Sequence, residues 1–223
     1  MKIIILTLTL LLSTASMKAE FHPQLEDYLL SVLREIEQIP EERKALLNEF
    51  SDYLRVKREA GEEIRLNFIC THNSRRSHMG QLWAQVAADY YGIEKVFTFS
   101  GGTEATAFDP KAIEAMERSG FKIAKGIGGE NPRYQVSYGK NTPNMVLFSK
   151  KYDDPLNPTY GFAAIMTCSE ADEECPLVRG AERRLSLYYD DPKAFDGTPQ
   201  ETAQYDERCR QIAVEMLYVM SRV

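Results

Sequence analysis

Cys70 and Arg76 stand six positions apart in a short segment, Cys-Thr-His-Asn-Ser-Arg-Arg-Ser (70–77), that directly follows an apolar run. The run predicts a strand, and the segment therefore lies where that strand ends. The residues from Ser77 to Tyr91 contain few helix breakers and predict a helix whose first N–H groups point back toward Cys70. The spacing indicates a cradle for a tetrahedral oxyanion with a cysteine nucleophile inside it.

Each residue type in this loop suits that chemistry. The field at the helix start favours a thiolate at Cys70, which makes it a nucleophile at neutral pH. The planar fork of Arg76 can hold two oxygens of phosphate or arsenate during in-line attack. Asn73 tolerates a left-handed backbone, which a tight anion loop often needs. The expected oxyanion-binding residues besides Arg76 are Thr71, His72, Asn73, Ser74, Arg75 and Ser77.

The loop, followed by Ser-His-Met-Gly (77–80), resembles the signature of the low-molecular-weight protein tyrosine phosphatases and of the thioredoxin-coupled arsenate reductases built on the same fold. Cys168 and Cys175, which follow an apolar strand, resemble two further cysteines of the reductases that the phosphatases do not need. Tyr-Tyr-Asp-Asp-Pro (188–192) resembles the Asp-Pro motif that supplies the family's general acid. The three motifs occur in the family's order within residues 64–223.

The resemblance implies a role for each matching residue. Cys70 is the nucleophile, Arg76 binds the oxyanion and Asp191 is the acid. Cys168 and Cys175 form a redox relay that reduces arsenate to arsenite and is regenerated by a thioredoxin-like protein. This cycle requires no metal and no organic cofactor.

Two loop residues depart from the family pattern. A glycine usually stands where this chain has His72, and many reductases have a cysteine where it has Arg75. His72 places a bulky side chain at the mouth of the loop, and Arg75 adds a positive charge. We expect the preference for anions to survive, while the physiological oxyanion stays open.

The spacing of the relay cysteines predicts a movement. If the segment between them is helical, seven residues separate them by about 10.5 Å along the axis, whereas a disulfide needs Cα atoms within roughly 4.4–6.8 Å. The segment must therefore unwind when the two pair. It carries four acidic residues and no apolar residue larger than Ala171, which makes local unfolding easy.

Three functional interpretations remain open at this point. The first is an arsenate reductase, which the cysteine pair favours. The second is a phosphatase acting on phosphotyrosine or small phosphoesters, for which Cys70, Arg76 and Asp191 suffice. The third is a non-catalytic redox or oxyanion-sensing module, which an unperturbed Cys70 thiol would favour over both enzymes.

The elements that must position these residues predict an α/β fold, a three-layer doubly wound parallel sheet. The resemblance implies that this sheet is of the low-molecular-weight phosphatase type. The predicted strands are 64–70, 96–100, 145–149 and 162–168, and the clearest predicted helices are 77–91, 110–119 and 204–220. Residues 126–160 are predicted to be a surface excursion. The glycine pair in Ser-Gly-Gly-Thr (100–103) either lines the site or simply ends a strand.

The chain divides into three predicted parts. Residues 1–19 resemble a secretory signal peptide, with Lys2, an apolar run and then small residues. Residues 20–60 form a helical extension, and residues 61–223 form the phosphatase-like domain. We expect an exported, periplasmic protein with no membrane segment in its mature form; translation from Met17 would instead give a cytoplasmic one.

Composition limits the other possibilities. The chain has 223 residues and a net charge of -6, which argues against nucleic acid as a partner. Three histidines and no Cys-x-x-Cys unit argue against a zinc site. Cys209 lies on an amphipathic helical pattern and is expected to be a structural thiol.

Overall fold

A computed structural model describes residues 18–175 and 177–223. The expected signal peptide lies outside the described residues except for its last two positions. The strands are β1 (Ile64–Cys70), β2 (Val96–Gly102), β3 (Lys122–Lys125), β4 (Tyr134–Ser137), β5 (Met145–Leu147), β6 (Phe162–Met166) and β7 (Ala181–Ser186). The α-helices are α1 (Pro23–Val32), α2 (Glu41–Glu59), α3 (Arg76–Tyr90), α4 (Pro110–Arg118), α5 (Ser169–Glu174) and α6 (Glu201–Met220).

The central sheet has the strand order β2-β1-β6-β7, and all of its neighbouring strands are parallel. β1 is largely buried on both faces, as expected for an internal strand of a parallel sheet. Leu66 and Phe68 belong to a large core under α3 and α6, while Ile69 belongs to a smaller apolar cluster that includes Ala171 of α5. Helices therefore cover both faces, and the predicted α/β class is confirmed.

The prediction for residues 126–160 was wrong in part. The segment contributes β4 and β5 to a second, antiparallel sheet of order β3-β4-β5, and the predicted strand 145–149 belongs to this sheet rather than to the parallel one. Tyr134 and Val136 of β4 are buried in the main core. Their alternation with polar neighbours is only four residues long, and the surrounding turn residues hide it.

β7 was also missed. Half of its sequence, Ala-Glu-Arg-Arg-Leu-Ser, is charged, and Leu185 alone among these six residues is buried. It forms an edge of the sheet, and charged side chains are a common protection for such an edge. An edge strand of this kind lacks the apolar pattern that predicts the other three strands of the parallel sheet.

The helical extension packs on the core of the domain. Its buried apolar side chains are Phe21, Leu25, Leu29, Val32, Ile39, Leu47, Phe50 and Leu54. They belong to the same apolar cluster as the buried side chains of α6. Arg43 of α2 also makes a bidentate ion pair with the buried Glu215 of α6. Within residues 18–175 and 177–223, no helix is long and apolar enough to cross a membrane.

Candidate active site

The predicted loop joins β1 to α3 at the carboxyl end of the parallel sheet. Cys70 ends β1, and Arg76 begins α3. Cys70 is paired in register with Gly102, the last residue of β2, and Cys168 follows the end of β6. Three strand ends therefore meet at one edge, which is where open α/β sheets bind ligands.

Asn73 fixes the shape of the loop from inside. Its φ of 44° is left-handed, as predicted for this position. Its amide nitrogen donates to the Ser77 hydroxyl (2.9 Å), and its amide oxygen accepts the backbone N–H of Lys150 (2.9 Å). The Ser77 hydroxyl lies 3.1 Å from the Cys70 sulfur. A buried chain of contacts thus connects the loop backbone to the nucleophile.

The end of β2 supports the loop from one side. The Glu104 N–H donates to the carbonyl of Thr71 (2.8 Å). A Cβ placed on Gly102 would lie 2.6 Å from that same carbonyl oxygen and 2.7 Å from the Asn73 nitrogen. The glycine is therefore required by the close approach of the loop, which favours the first of the two interpretations of segment 100–103.

The outer rim of the loop is held by hydroxyl groups. Ser74 donates its hydroxyl to the carbonyl of Ala107 (2.6 Å), and the carbonyl of His72 accepts from the Ser149 hydroxyl (2.8 Å). The His72 ring turns outward, 41% exposed, with Nε2 3.7 Å from the Glu104 carboxylate. His72, one of the two residues that depart from the family pattern, thus lies at the mouth of the loop, as expected, and its backbone is held by a hydrogen bond.

Arg76 and Asp191 lie in direct contact. Arg76 is buried, and it donates from Nη1 to the carbonyl of Tyr189 and from Nη2 to Asp191 Oδ2, both at 2.9 Å. Asp191 caps a short 3₁₀ turn (Pro192–Phe195) and accepts the Lys193 N–H. The structure brings together the expected oxyanion-binding side chain and the expected acid, although the motifs are more than a hundred residues apart.

Arg75 binds the same carboxylate. Its Nε and Nη2 donate to the two oxygens of Asp191 at 2.8 and 2.9 Å, and its Nη1 donates to Asp109 Oδ2 at 3.3 Å. Burial alone would raise the pKa of Asp191, but the Arg75 hydrogen bonds and the charges of Arg76 and Arg75 outweigh it. The pKa of Asp191 therefore lies below its usual value, and the group is a carboxylate at neutral pH.

The relay cysteines stand at the two ends of α5. Cys168 precedes the helix, Cys175 follows it, and both are buried free thiols in the same apolar cluster as Cys70. The Cys168 sulfur lies 3.6 Å from the Thr71 hydroxyl of the loop. Burial raises the pKa of Cys168, against the opposing effects of Arg76 and Thr71. The segment between the cysteines is helical, as the predicted movement requires.

Sequence reasoning missed two residues at this site. Asp109 caps α4 and also accepts from Arg75; its place directly before Pro110 signalled the cap but not the contact. Lys150 is 7% exposed and its ammonium lies 5.2 Å from the centre of the Phe148 ring. Burial lowers the pKa of Lys150 to about 8, with Asp154 opposing. Nothing in the local sequence distinguished this lysine from a surface one.

Cys209 takes no part in this arrangement. It is fully buried, and its sulfur accepts a hydrogen bond from the Trp83 indole at 3.3 Å. Burial raises the pKa of Cys209 to about 11, so it is a thiol at neutral pH. The prediction of a structural thiol is confirmed.

A cysteine and an arginine six positions apart, on the first strand-to-helix loop of a parallel sheet and facing an Asp-Pro turn, define the low-molecular-weight protein tyrosine phosphatase class. No family model matches the chain. The arsenate reductase of Bacillus subtilis is 30% identical over 144 residues, which are 64% of this chain and 84% of that protein. The chain belongs to the arsenate reductase family, and the resemblance seen in its sequence is confirmed.

Solved structures give similarities at lower identity. A low-molecular-weight protein tyrosine phosphatase from T. tengcongensis superposes with a TM-score of 0.49 at 14% identity, over 72% of this chain and all of that one. A thioredoxin-dependent arsenate reductase from Corynebacterium glutamicum superposes with a TM-score of 0.37 at 17% identity, over 85% of this chain and 80% of that one.

Proposed function

We propose that the protein reduces arsenate to arsenite by a relay of three cysteines and is regenerated by a thioredoxin-like dithiol protein. The observation that carries this proposal is the shared apolar cluster of Cys70, Cys168 and Cys175 beside the oxyanion loop. A hydrolase of this class needs only one of these three cysteines, Cys70. Two further free thiols next to it, at the ends of one short helix, suit successive thiol–disulfide exchange.

The first step is attack by the Cys70 thiolate on arsenic. A sulfur–arsenic bond forms as an arsenic–oxygen bond breaks, and the departing hydroxyl leaves as water with the proton of a second arsenate hydroxyl. Arg76 and the N–H groups at the start of α3 stabilise the anion. Arsenic is still As(V) at this stage, because no electrons have been transferred to it.

The second and third steps transfer the electrons. Cys168 loses its proton as its sulfur attacks the Cys70 sulfur, and a disulfide forms. The electron pair of the sulfur–arsenic bond stays on arsenic, which takes up that proton and leaves as arsenite, As(III). Cys175 then attacks Cys168 and releases the Cys70 thiolate. The external dithiol reduces the Cys168–Cys175 disulfide and becomes a disulfide itself. The net reaction consumes arsenate and a dithiol and yields arsenite, a disulfide and water.

The test measures arsenite formed from arsenate by the full chain with thioredoxin, thioredoxin reductase and NADPH, alongside the Cys175→Ser variant. We expect many turnovers for the parent and about one for the variant, because Cys70 then stays in its disulfide with Cys168. Cys209→Ala is the matched control, since this buried thiol lies outside the relay. Undiminished turnover in Cys175→Ser, or no arsenite above the Cys70→Ser background, would overturn the proposal.

A phosphatase is the second candidate. One observation favours it: Arg76 donates directly to Asp191 at 2.9 Å, beside the loop in which the Ser77 hydroxyl lies 3.1 Å from the Cys70 sulfur. The protein is a phosphatase if the parent forms no arsenite and p-nitrophenyl phosphate is hydrolysed at the same rate when Cys168 and Cys175 are both changed to Ser. Arsenite formation by the parent that is lost in this double variant, with hydrolysis retained, would show that Cys168 and Cys175 serve reduction alone.

We further propose that residues 1–19 direct export and are removed. The charged start, apolar run and small residues of this segment support the proposal. Sequencing the amino terminus of the protein purified from its own cells tests it. A mature chain beginning at position 20 is the expected result, whereas a chain beginning at Met1 or Met17 would contradict export.

A further inference from the structure

Arg75 is the loop residue with the most ionic contacts to its surroundings. Its planar guanidinium faces Asp191 side-on and reaches Asp109 with its remaining nitrogen. Asp109 is itself held in place, because its other oxygen caps α4 by accepting the N–H groups of Lys111 and Ala112. Only about 8% of the Arg75 side chain is exposed. Arg75 is therefore fixed between two carboxylates, of which one belongs to the expected acid.

The same carboxylate also binds Arg76. An oxyanion that enters the loop competes with Asp191 for Arg76, but it leaves the two hydrogen bonds from Arg75 intact. The N–H of Lys193 continues to hold Oδ1 as well. Asp191 consequently stays fixed, with both oxygens accepting hydrogen bonds, after the substrate has taken Arg76.

We propose that Arg75 is a positioning residue that locks the Asp191 carboxylate in place and thereby restricts the site to substrates whose leaving group departs without a donated proton. The inference rests on the proposed function and deepens it, because it names the kind of substrate that this site accepts. It assigns a function to one of the two residues at which this chain departs from its family's loop sequence.

The chemistry of the leaving group explains the restriction. In ester hydrolysis the bond between the Cys70 sulfur and phosphorus forms while the ester oxygen leaves with its bonding pair, and water later cleaves the thiophosphate. A poor leaving oxygen needs a proton at that moment, and a carboxylate locked onto Arg75 has none to give. p-Nitrophenolate is stable as an anion. Inorganic arsenate carries hydroxyl protons of its own.

Charged and titratable groups face this pair from several elements. They are Arg76 on α3, Asp109 and Lys111 at the start of α4, Asp196 after the 3₁₀ turn, and Tyr205 on α6. Asp190, which directly precedes Asp191, is almost fully exposed and pairs with Arg208 instead. Of the cations among these described groups, Arg75 alone contacts both oxygens of Asp191.

The test compares the full chain with Arg75→Gln. Carbon-detected NMR follows the titration of the Asp191 carboxyl, and steady-state assays follow phenyl phosphate and p-nitrophenyl phosphate across pH. We expect the Asp191 titration and the basic limb of kcat/KM to move up by roughly one pH unit, the effect of one neighbouring arginine. The kcat/KM ratio of phenyl to p-nitrophenyl phosphate should rise about tenfold at neutral pH, because an upward shift of about one pH unit raises the protonated fraction of Asp191 about tenfold.

Arg118→Gln is the matched control, because Arg118 makes a comparable pair with Asp206 away from the loop. Arg75→Lys keeps the positive charge but lacks the planar pair of N–H donors. Its Asp191 titration should therefore stay close to that of the parent, while the fixed geometry of the carboxylate is lost. An Asp191 titration unchanged in Arg75→Gln would overturn the lock even if arsenate is reduced. A shifted titration in a protein that reduces no arsenate would instead overturn the proposed function and leave the lock standing.

Discussion

The carboxylate of Asp172 in α5 accepts a 2.8 Å hydrogen bond from Nε of Arg184 on β7. The hydroxyls of Ser186 and Tyr188 donate to its other oxygen. Burial opposes ionisation, but these hydrogen bonds outweigh it and the pKa of Asp172 lies below its usual value. Because the relay cysteines stand at the two ends of α5, this carboxylate ties the segment expected to move to the edge of the sheet.

We therefore expect Asp172→Asn to loosen α5. Removing a charged acceptor of several hydrogen bonds should cost about 1.5–3 kcal/mol locally, so amides of residues 169–174 should exchange with solvent at least about tenfold faster. Hydrogen exchange of the reduced protein measures this. Glu173→Gln is the control, since Glu173 is an exposed acid of the same helix. Equal exchange in both variants would show that the Asp172 contacts do not restrain the helix.

Lys150 yields a prediction about stability and pH. Its pKa is lowered to about 8 in the folded protein, against 10.5 for an ordinary lysine. Between these values the unfolded chain binds more protons, so stability falls as the pH drops from about 10.5 to about 8 and stays reduced below that. At about 1.4 kcal/mol per pH unit, burying this amine costs up to roughly 3 kcal/mol at pH 7.

Lys150→Met should therefore raise the free energy of unfolding at pH 7, and the gain should shrink toward zero as the pH approaches 10.5. Urea unfolding at pH 7 and at pH 10 measures both values. Lys151→Met provides the comparison, because the neighbouring lysine is exposed. A gain of equal size at the two pH values would mean that apolar packing by methionine, rather than relief of a buried ammonium, is responsible.

The sequence identified the loop and its neighbours correctly because these features are local. The strand before Cys70, the left-handed Asn73 and the helix that follows depend on residues adjacent in the chain, and all three are present. The pairing of Arg75 with Asp191 and Asp109 could not be predicted in this way. It joins three segments whose distance in space is set only when the sheet, α4 and the 3₁₀ turn pack together.

The errors in the fold have a similar origin. β4 and β7 are short, and each stays in place through its neighbours: β4 lies between two antiparallel strands, and β7 lies along β6. Their own residues carry little apolar periodicity. The burial of Lys150 could not be predicted for the same reason, because it is imposed by the residues packed around the side chain and not by the side chain itself.

Asn73 separates two contributions to the loop, its backbone shape and its side-chain bonds. Asn73→Gly keeps the left-handed φ of 44° accessible but removes the hydrogen bonds to Ser77 and Lys150. Asn73→Ala removes both. We expect phosphate binding, measured by calorimetry on the reduced protein, to weaken in both variants, and Ala to be worse than Gly by about 1 kcal/mol, the cost of a left-handed alanine. Equal affinities would mean that the side-chain bonds alone fix the loop.

Gly102 tests whether the end of β2 shapes the anion site. A methyl group there would lie 2.3 Å from the carbonyl oxygen of Glu104 and 2.6 Å from that of Thr71, and neither backbone segment can yield without moving the loop. We expect Gly102→Ala to lower the free energy of unfolding by about 1–3 kcal/mol and to weaken phosphate binding about tenfold or more, equivalent to about 1.4 kcal/mol.

The control for Gly102 is Gly61→Ala, a glycine with φ of 69° and no atom within 4 Å of the added methyl. It should lose about 1 kcal/mol of stability through its backbone and bind phosphate normally. Calorimetric titration and urea unfolding on both variants separate the two effects. If Gly102→Ala loses stability but binds phosphate like the parent, the close approach of β2 serves the fold alone, and the loop keeps its anion-binding shape through Asn73 and the start of α3.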